Sequence, residues 1–130
     1  MVKTEGLKPS FKDNKLTAKG IKRDLLNAIT PTNASWNGHN SSAWKQDILG
    51  VNGFDERMEY GGEDREMGER MMNKGLKSIQ IRYSAVVIHL DHARGYVNQE
   101  ALDKNKAIRE ETKANKSTWT SFGIRKQDQV

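Results

Sequence analysis

The sequence lacks cysteine altogether, which excludes disulfides, zinc–thiolate sites and thiol nucleophiles and suits a reducing compartment. Long apolar runs are also missing. The longest, Ala85–Ile88, is far shorter than the roughly 20 residues of a membrane-spanning helix. The first residues lack the apolar segment of a secretory signal. Together these absences predict a cytoplasmic protein.

Apolar residues are scarce, at 35% of 130 residues, so the chain has room for one domain with a small core. Its charge is unevenly placed. Residues 55–69 hold seven acids and two bases, which is a balance of −5, and since the net charge is +5 the remainder carries +10. A cluster of acids within an otherwise basic chain is typical of a site that binds a metal ion or accepts a hydroxyl proton near phosphate groups. A plain solvated helix is the alternative, and composition alone favours it.

The order of periodic segments predicts an α+β domain with a small mixed sheet and two or three helices. A basic lead-in over residues 1–34 contains a short helix at 21–29, and a tail over 98–130 contains a polar helix at 98–115. Between them, residues 35–97 combine helices over 42–50 and 63–74 with a strand over 78–88. On the second of these helices, the i, i+4 spacing of Glu66 and Arg70 predicts a pair on the polar side. Ser41 or Ser42 is the expected N-cap of the first of these two helices.

Turn-forming residues predict a loop over residues 31–42, and this loop carries Trp36, His39 and Asn40. A loop can direct such side chains into a cleft, which favours a binding role. Packing of Trp36 against the core is the equal alternative.

Two carboxylates follow a double glycine where the best helix of the sequence begins. Glu63 and Asp64 would interact favourably with the helix dipole there, so simple capping is one interpretation of these residues. Gly61 and Gly62 would let the backbone approach a ligand closely. A carboxylate at the edge of a cleft could then accept a proton from a hydroxyl group, as general-base catalysis requires.

The predicted strand ends at His89, with Asp91 and His92 just beyond it. Strand alternation places His89 and His92 on opposite faces, so one metal ion could bind both only if the strand stops there. His89 as one ligand of a Mn²⁺ or Mg²⁺ ion is chemically reasonable. A hydrogen-bonded structural histidine is the alternative, and without further context it is favoured.

Several of these motifs occur in an order that resembles the galactosyltransferase-type C-terminal region of family 2 glycosyltransferases. The similarity covers about residues 35–95, and spaced motifs in one order are far more specific than any single motif. The segments that carry it are 38–49 (GHNSSAWKQDIL), 51–56 (VNGFDE), 60–70 (YGGEDREMGER) and 85–92 (AVVIHLDH).

The resemblance implies a GT-A fold and an inverting transfer from a nucleotide-sugar donor to a glycan or polysaccharide acceptor. It implies that Asp64 is the general base and that Glu63 binds acceptor hydroxyls. It also implies that His89, rather than His92, completes a Mn²⁺ or Mg²⁺ site on the donor diphosphate. Tyr60, where many relatives have tryptophan, would be an aromatic platform for a sugar. The candidate substrate-binding residues are Trp36, Asn40, Tyr60, Gly61 and Gly62.

Only about 35 residues precede the loop, and no Asp-x-Asp motif occurs in the chain. We therefore expect the nucleotide-binding half of such an enzyme to be absent here, and the chain to be inactive or nearly so alone. A noncatalytic carbohydrate-binding or regulatory module that keeps only the acceptor groove is the alternative function.

Residues 1–30 carry seven bases and three acids, a balance of +4. No nucleic-acid-binding motif accompanies them, so we expect no nucleic-acid partner. A basic flank could instead lie on the anionic inner face of a membrane, where lipid-linked acceptors would be found.

Overall fold

The structure is a computed structural model that describes residues 13–31, 35–87 and 97–125. These residues belong to two compact units. Residues 13–31 and 79–87 form the first unit, and residues 35–78 and 97–125 form the second. Within the described residues, no helix is long and apolar enough to cross a bilayer.

The first unit contains helices α1 (Asn14–Thr17) and α2 (Gly20–Ile29), which confirms the helix predicted over 21–29. α2 ends where the Thr30 hydroxyl donates to the carbonyl of Leu26 at 2.6 Å, just before Pro31. Its Asn27 binds the segment that follows residue 78. The Asn27 side chain donates to the Ser84 hydroxyl at 2.7 Å and accepts from the Tyr83 backbone N–H at 2.9 Å.

These contacts explain why the predicted α+β fold class, with its small mixed sheet and partial GT-A fold, is wrong. The described part of the chain is 48% helical and contains no strand. A strand needs a partner that accepts its backbone N–H groups. The N–H groups of Ser84 and Ala85 donate instead to the carbonyl of Ile81, at 2.8 and 2.9 Å, which closes a turn. The alternating sequence before this turn therefore forms no hydrogen-bonded ladder with another strand in the described part of the chain. The end of the predicted strand, at residue 88, lies outside the described residues.

The second unit contains helices α3 (Lys45–Gly50), α4 (Glu63–Asn73) and α5 (Gln99–Ala114). α4 and α5 agree with the predicted helices, while α3 begins later than expected, after Trp44. The Ser41 hydroxyl explains the difference, because it accepts from the backbone N–H of Asn37 at 2.8 Å and so holds the preceding loop instead of capping the helix.

The core of the second unit is small, as the composition predicts. Val51, Met67 and Met71 are buried together, and Trp36, Ile48 and Leu76 pack against them. Trp36 lies directly over α4 at Gly68, where a β-carbon added to the glycine would come within 2.7 Å of the Trp36 Cβ atom. Packing is therefore the role of Trp36 that the structure supports.

A buried ion pair joins α4 to its surroundings, although its spacing on the helix suggested a solvent-facing pair. Glu66 and Arg70 are each 1% exposed, and their closest contact is 2.7 Å. Arg70 also donates to the backbone carbonyls of Val51 and Gly53, and the Thr112 hydroxyl on α5 donates to Glu66 at 2.8 Å. The pair thus joins α4, the turn after α3, and α5.

Asp55 fixes the segment that follows α5. It is 2% exposed and accepts from the Thr120 hydroxyl at 2.7 Å and from the Arg57 guanidinium at 2.8 Å. Burial disfavours the charged carboxylate, but the hydrogen bonds from Arg57 and Thr120 outweigh it and hold the pKa of Asp55 below its ordinary value. The Arg57 guanidinium in turn lies 4.0 Å from the centre of the Phe122 ring.

Acid is therefore expected to destabilise the second unit through Asp55. Since its pKa is lower in the folded chain, the stability it contributes is fully present above the unfolded-state pKa, about 4, and is lost as the pH falls through the folded-state value. Thermal unfolding followed from about pH 7 to about pH 3 checks this. Asp55→Asn should be less stable at neutral pH but should lose less stability in acid. The exposed Asp103→Asn is the control, and equal acid losses in Asp55→Asn and the wild type would contradict the assignment.

Candidate functional site

An open cleft of about 390 Å³ lies where the chain enters α4 and faces one side of α5. It contains the double glycine and both carboxylates singled out in the sequence. Its α5 wall presents three side chains spaced four and three residues apart, as one helix face requires. The lining residues are Asn37, Tyr60, Gly61, Gly62, Glu63, Asp64, Arg65, Leu102, Lys106 and Arg109.

The two glycines adopt backbone angles that side chains rarely allow, with φ of +118° at Gly61 and +93° at Gly62. Both also lie against α5. A β-carbon at Gly61 would collide with the Leu102 side chain, and one at Gly62 would lie 3.1 Å from Arg109 Cδ. The conformation and the close approach together require glycine here.

Asn105 holds the segment that leads into the glycines. It is fully buried on α5, and its side-chain amide donates to the carbonyls of Glu59 and Gly61 at 3.0 and 3.1 Å. Its carbonyl oxygen accepts from the Glu59 backbone N–H at 3.3 Å. One asparagine thereby fixes the entry to α4 and places the carboxylates beside α5.

Gly61→Ala is expected to destabilise the protein by about 1–2 kcal/mol, because alanine must adopt a left-handed backbone and must also displace the terminal methyl group of the Leu102 side chain. Gly75→Ala is the matched control. Gly75 has φ of +91° but no atom within 4 Å of its β-carbon position, so its substitution should cost only about 1 kcal/mol. Chemical denaturation measures both. Equal losses would show that the contact with Leu102 contributes nothing.

Backbone N–H groups hold both carboxylates in the cleft wall. Glu63 Oε2 accepts from the N–H of Gly61 at 2.7 Å. Asp64 accepts from the N–H of Arg65 at 2.7 Å on one oxygen and from the N–H of Gly38 at 2.9 Å on the other. A carboxylate has about four acceptor positions, so each group can still accept a hydrogen bond from a ligand hydroxyl.

Of the other predicted substrate-binding residues, one lines the cleft and two do not. Tyr60 lies in the cleft wall with 40% of its surface exposed, which suits a sugar platform. Trp36 and Asn40 are not among the lining residues. Their loop reaches the cleft through Asn37, which lines it, and through Gly38, which holds Asp64.

The α5 wall of the cleft was not predicted from the sequence as part of a site. Leu102, Asn105, Lys106 and Arg109 lie in the polar helix predicted over 98–115, but none of them was singled out as a site residue. Arg109 is fixed by an ion pair with Glu69 at 2.5 Å, which joins α5 to α4. The spacing of Leu102, Lys106 and Arg109 on one helix face was the available signal, but it does not show which surface the face meets.

The predicted metal ligands His89 and His92 lie outside the described residues. Within the described ranges, no group of three or more potential metal-ligating side chains occurs. In the described site, Glu63 and Asp64 supply carboxylate oxygens that can accept hydrogen bonds or a proton.

Comparison with known proteins identifies part of the chain. Residues 30–95 match a protein-family model described as the N-terminal domain of galactosyltransferase, and this match covers half of the 130 residues. It includes both carboxylates and His89, whereas α5 lies beyond it. No curated protein and no solved structure matches the chain. The description confirms neither the C-terminal assignment nor the placement in family 2.

Proposed function

We propose, because the chain belongs to this galactosyltransferase family, that its cleft binds the acceptor of a sugar transfer and deprotonates the hydroxyl that reacts. The observation that carries the proposal is the position of Asp64. Its carboxylate is half-buried in the cleft wall, is held by two backbone N–H groups, and retains positions that can accept a hydroxyl proton.

The roles of the neighbouring residues follow from their places around Asp64. Glu63, oriented by the Gly61 N–H, would accept hydrogen bonds from other acceptor hydroxyls. Tyr60 would stack against a sugar ring, since it is 40% exposed and lines the same cleft. Gly61 and Gly62, which pack against α5 without side chains, would let the backbone approach the acceptor closely.

The finer parts of the proposal concern the donor. The transfer would use a nucleotide sugar and invert its anomeric configuration, because a general base that activates the acceptor permits direct displacement. This chain would correspond to the C-terminal part of a family 2 enzyme. The donor would then bind a separate nucleotide-binding half. Mn²⁺ or Mg²⁺ would neutralise charge on the donor diphosphate, with His89 as the ligand from this chain.

An acceptor-binding experiment followed by a transfer assay tests the proposal. Calorimetric titration of the purified chain with a panel of oligosaccharides should find one class that binds. The same class should then receive label from a nucleotide sugar and Mn²⁺ when a donor-binding half is supplied, with inverted configuration in the product. Binding without transfer under all these conditions would instead favour a carbohydrate-binding module, and absence of binding would contradict the proposal.

A further inference from the structure

Two cations in the cleft have no strong partner among the described residues. The Arg65 side chain is exposed and makes no ion pair or hydrogen bond within the described ranges; the Asp64 contact involves its backbone N–H. Lys106 is 74% exposed, and its ammonium lies 3.8 Å from Glu110 on the same helix. An exposed pair with this spacing contributes only about 0.3–0.5 kcal/mol, so Lys106 remains available to a ligand.

The third cation of the cleft differs from these two. Arg109 is 23% exposed, and its guanidinium donates to Glu69 at 2.5 Å while its aliphatic part lies under Gly62. Its guanidinium is thus held by the Glu69 carboxylate, which Lys113 also contacts at 3.3 Å. Arg109 therefore shapes the cleft, whereas Arg65 and Lys106 are exposed lining residues whose side-chain donors are available to a ligand.

The two acids of the cleft do not neutralise these cations directly. Their closest hydrogen-bond donors are the backbone N–H groups of Gly61, Gly38 and Arg65. No ion pair joins Glu63 or Asp64 to a basic side chain in the described part of the chain. A ligand in the cleft thus meets two carboxylates held by the backbone and two cations on the walls formed by α4 and α5.

We infer that the acceptor carries an anionic group beside the reacting sugar, and that Lys106 and Arg65 bind it. This inference rests on the proposed function and adds the class of acceptor. A hexuronic acid residue supplies the required chemistry, since its carboxylate can accept hydrogen bonds from both cations. A phosphate ester on the glycan would present the same chemistry. A neutral acceptor would leave both cations without a partner.

The test compares matched oligosaccharides that differ only in charge. Calorimetry measures the binding of the 130-residue chain to a hexuronic-acid-terminated oligosaccharide, to the same compound with its carboxyl reduced to an alcohol, and to a phosphorylated analogue. The uronate compound should bind about tenfold more tightly than its reduced form, as a charge-assisted hydrogen bond allows. Raising the salt concentration should reduce this preference.

Variants assign the preference to particular residues. Lys106→Gln and Arg65→Gln should each reduce it, and the double variant should abolish it while binding of the reduced compound persists. Lys104→Gln is the matched control, because Lys104 is an exposed cation of α5 that does not line the cleft. Circular dichroism should show the same helix content in all variants.

The outcomes separate this inference from the proposed function. Equal binding of the charged and reduced compounds, or a preference that survives in the double variant, would overturn the inference and leave the acceptor cleft in place. A stronger preference for the phosphorylated analogue would support the anionic subsite and identify phosphate as its source. Binding of none of the three compounds would overturn both proposals.

Discussion

Replacing Arg70 with methionine is expected to lower the free energy of unfolding by about 3–5 kcal/mol. The substitution leaves the Glu66 carboxylate, 1% exposed, without its charged partner. It also removes the donors that reach the carbonyls of Val51 and Gly53. Because small domains have a total stability of about 5–15 kcal/mol, a loss of this size would bring the chain close to unfolding at room temperature.

Urea denaturation measures this loss of stability. Two further variants show whether it comes from the buried ion pair. Glu110→Gln breaks a pair with the same spacing on an exposed helix face, so it should change stability by less than about 0.5 kcal/mol. The double substitution E66L/R70M removes both buried charges and should be more stable than R70M alone. If R70M cost no more than Glu110→Gln, the buried pair would not be structurally important.

Asp64→Asn is expected to reduce the rate of sugar transfer by about 10²–10⁴-fold, the usual contribution of a positioned general base. The asparagine side chain keeps the shape, but its single carbonyl oxygen can accept from only one of the two backbone N–H groups that Asp64 binds, so the fold should be retained with a small loss of stability. It cannot take up the acceptor proton. Acceptor affinity should therefore change little while kcat falls.

The effect is measured as kcat and KM of the transfer reaction together with the affinity of the isolated chain for the acceptor. Asp47→Asn is the matched control, because Asp47 also lies in the first turn of a helix but does not line the cleft. A loss of acceptor affinity equal to the loss of rate would make Asp64 a binding contact. An unchanged rate would remove it from the mechanism.

Local sequence signals predicted three helices well, because helical periodicity depends on nearby residues, whereas the N-cap expected at Ser41 or Ser42 was wrong. α2, α4 and α5 lie where they were expected, and α4 ends before Gly75. The strand was wrong because alternation records only the pattern of side chains. The backbone N–H of Tyr83, which a sheet would need as a donor, instead donates to the Asn27 side chain more than fifty residues away. No local sequence pattern predicts such contacts.

The same limit applies to the site. Gly61, Gly62, Glu63 and Asp64 were found because a double glycine before an acidic helix start is a local signal. The sequence did not predict the opposite wall of the cleft, because Lys106 and Arg109 are placed there only by the packing of α5 on α4. Arg70 was interpreted as solvent-facing because i, i+4 spacing with Glu66 is common on helix surfaces. Its burial depends on the turn after α3, which lies distant in sequence.

The central claim is that the Gly61–Asp64 cleft binds a glycan acceptor, and backbone amide NMR tests it most directly. Adding the bound class of oligosaccharide to ¹⁵N-labelled protein should shift the amide signals of Gly38, Gly61, Gly62 and Arg65, whose N–H groups lie at or beside the two carboxylates. Asp64→Asn should leave this pattern in place. Shifts confined to residues outside the cleft, at saturating oligosaccharide, would contradict the account.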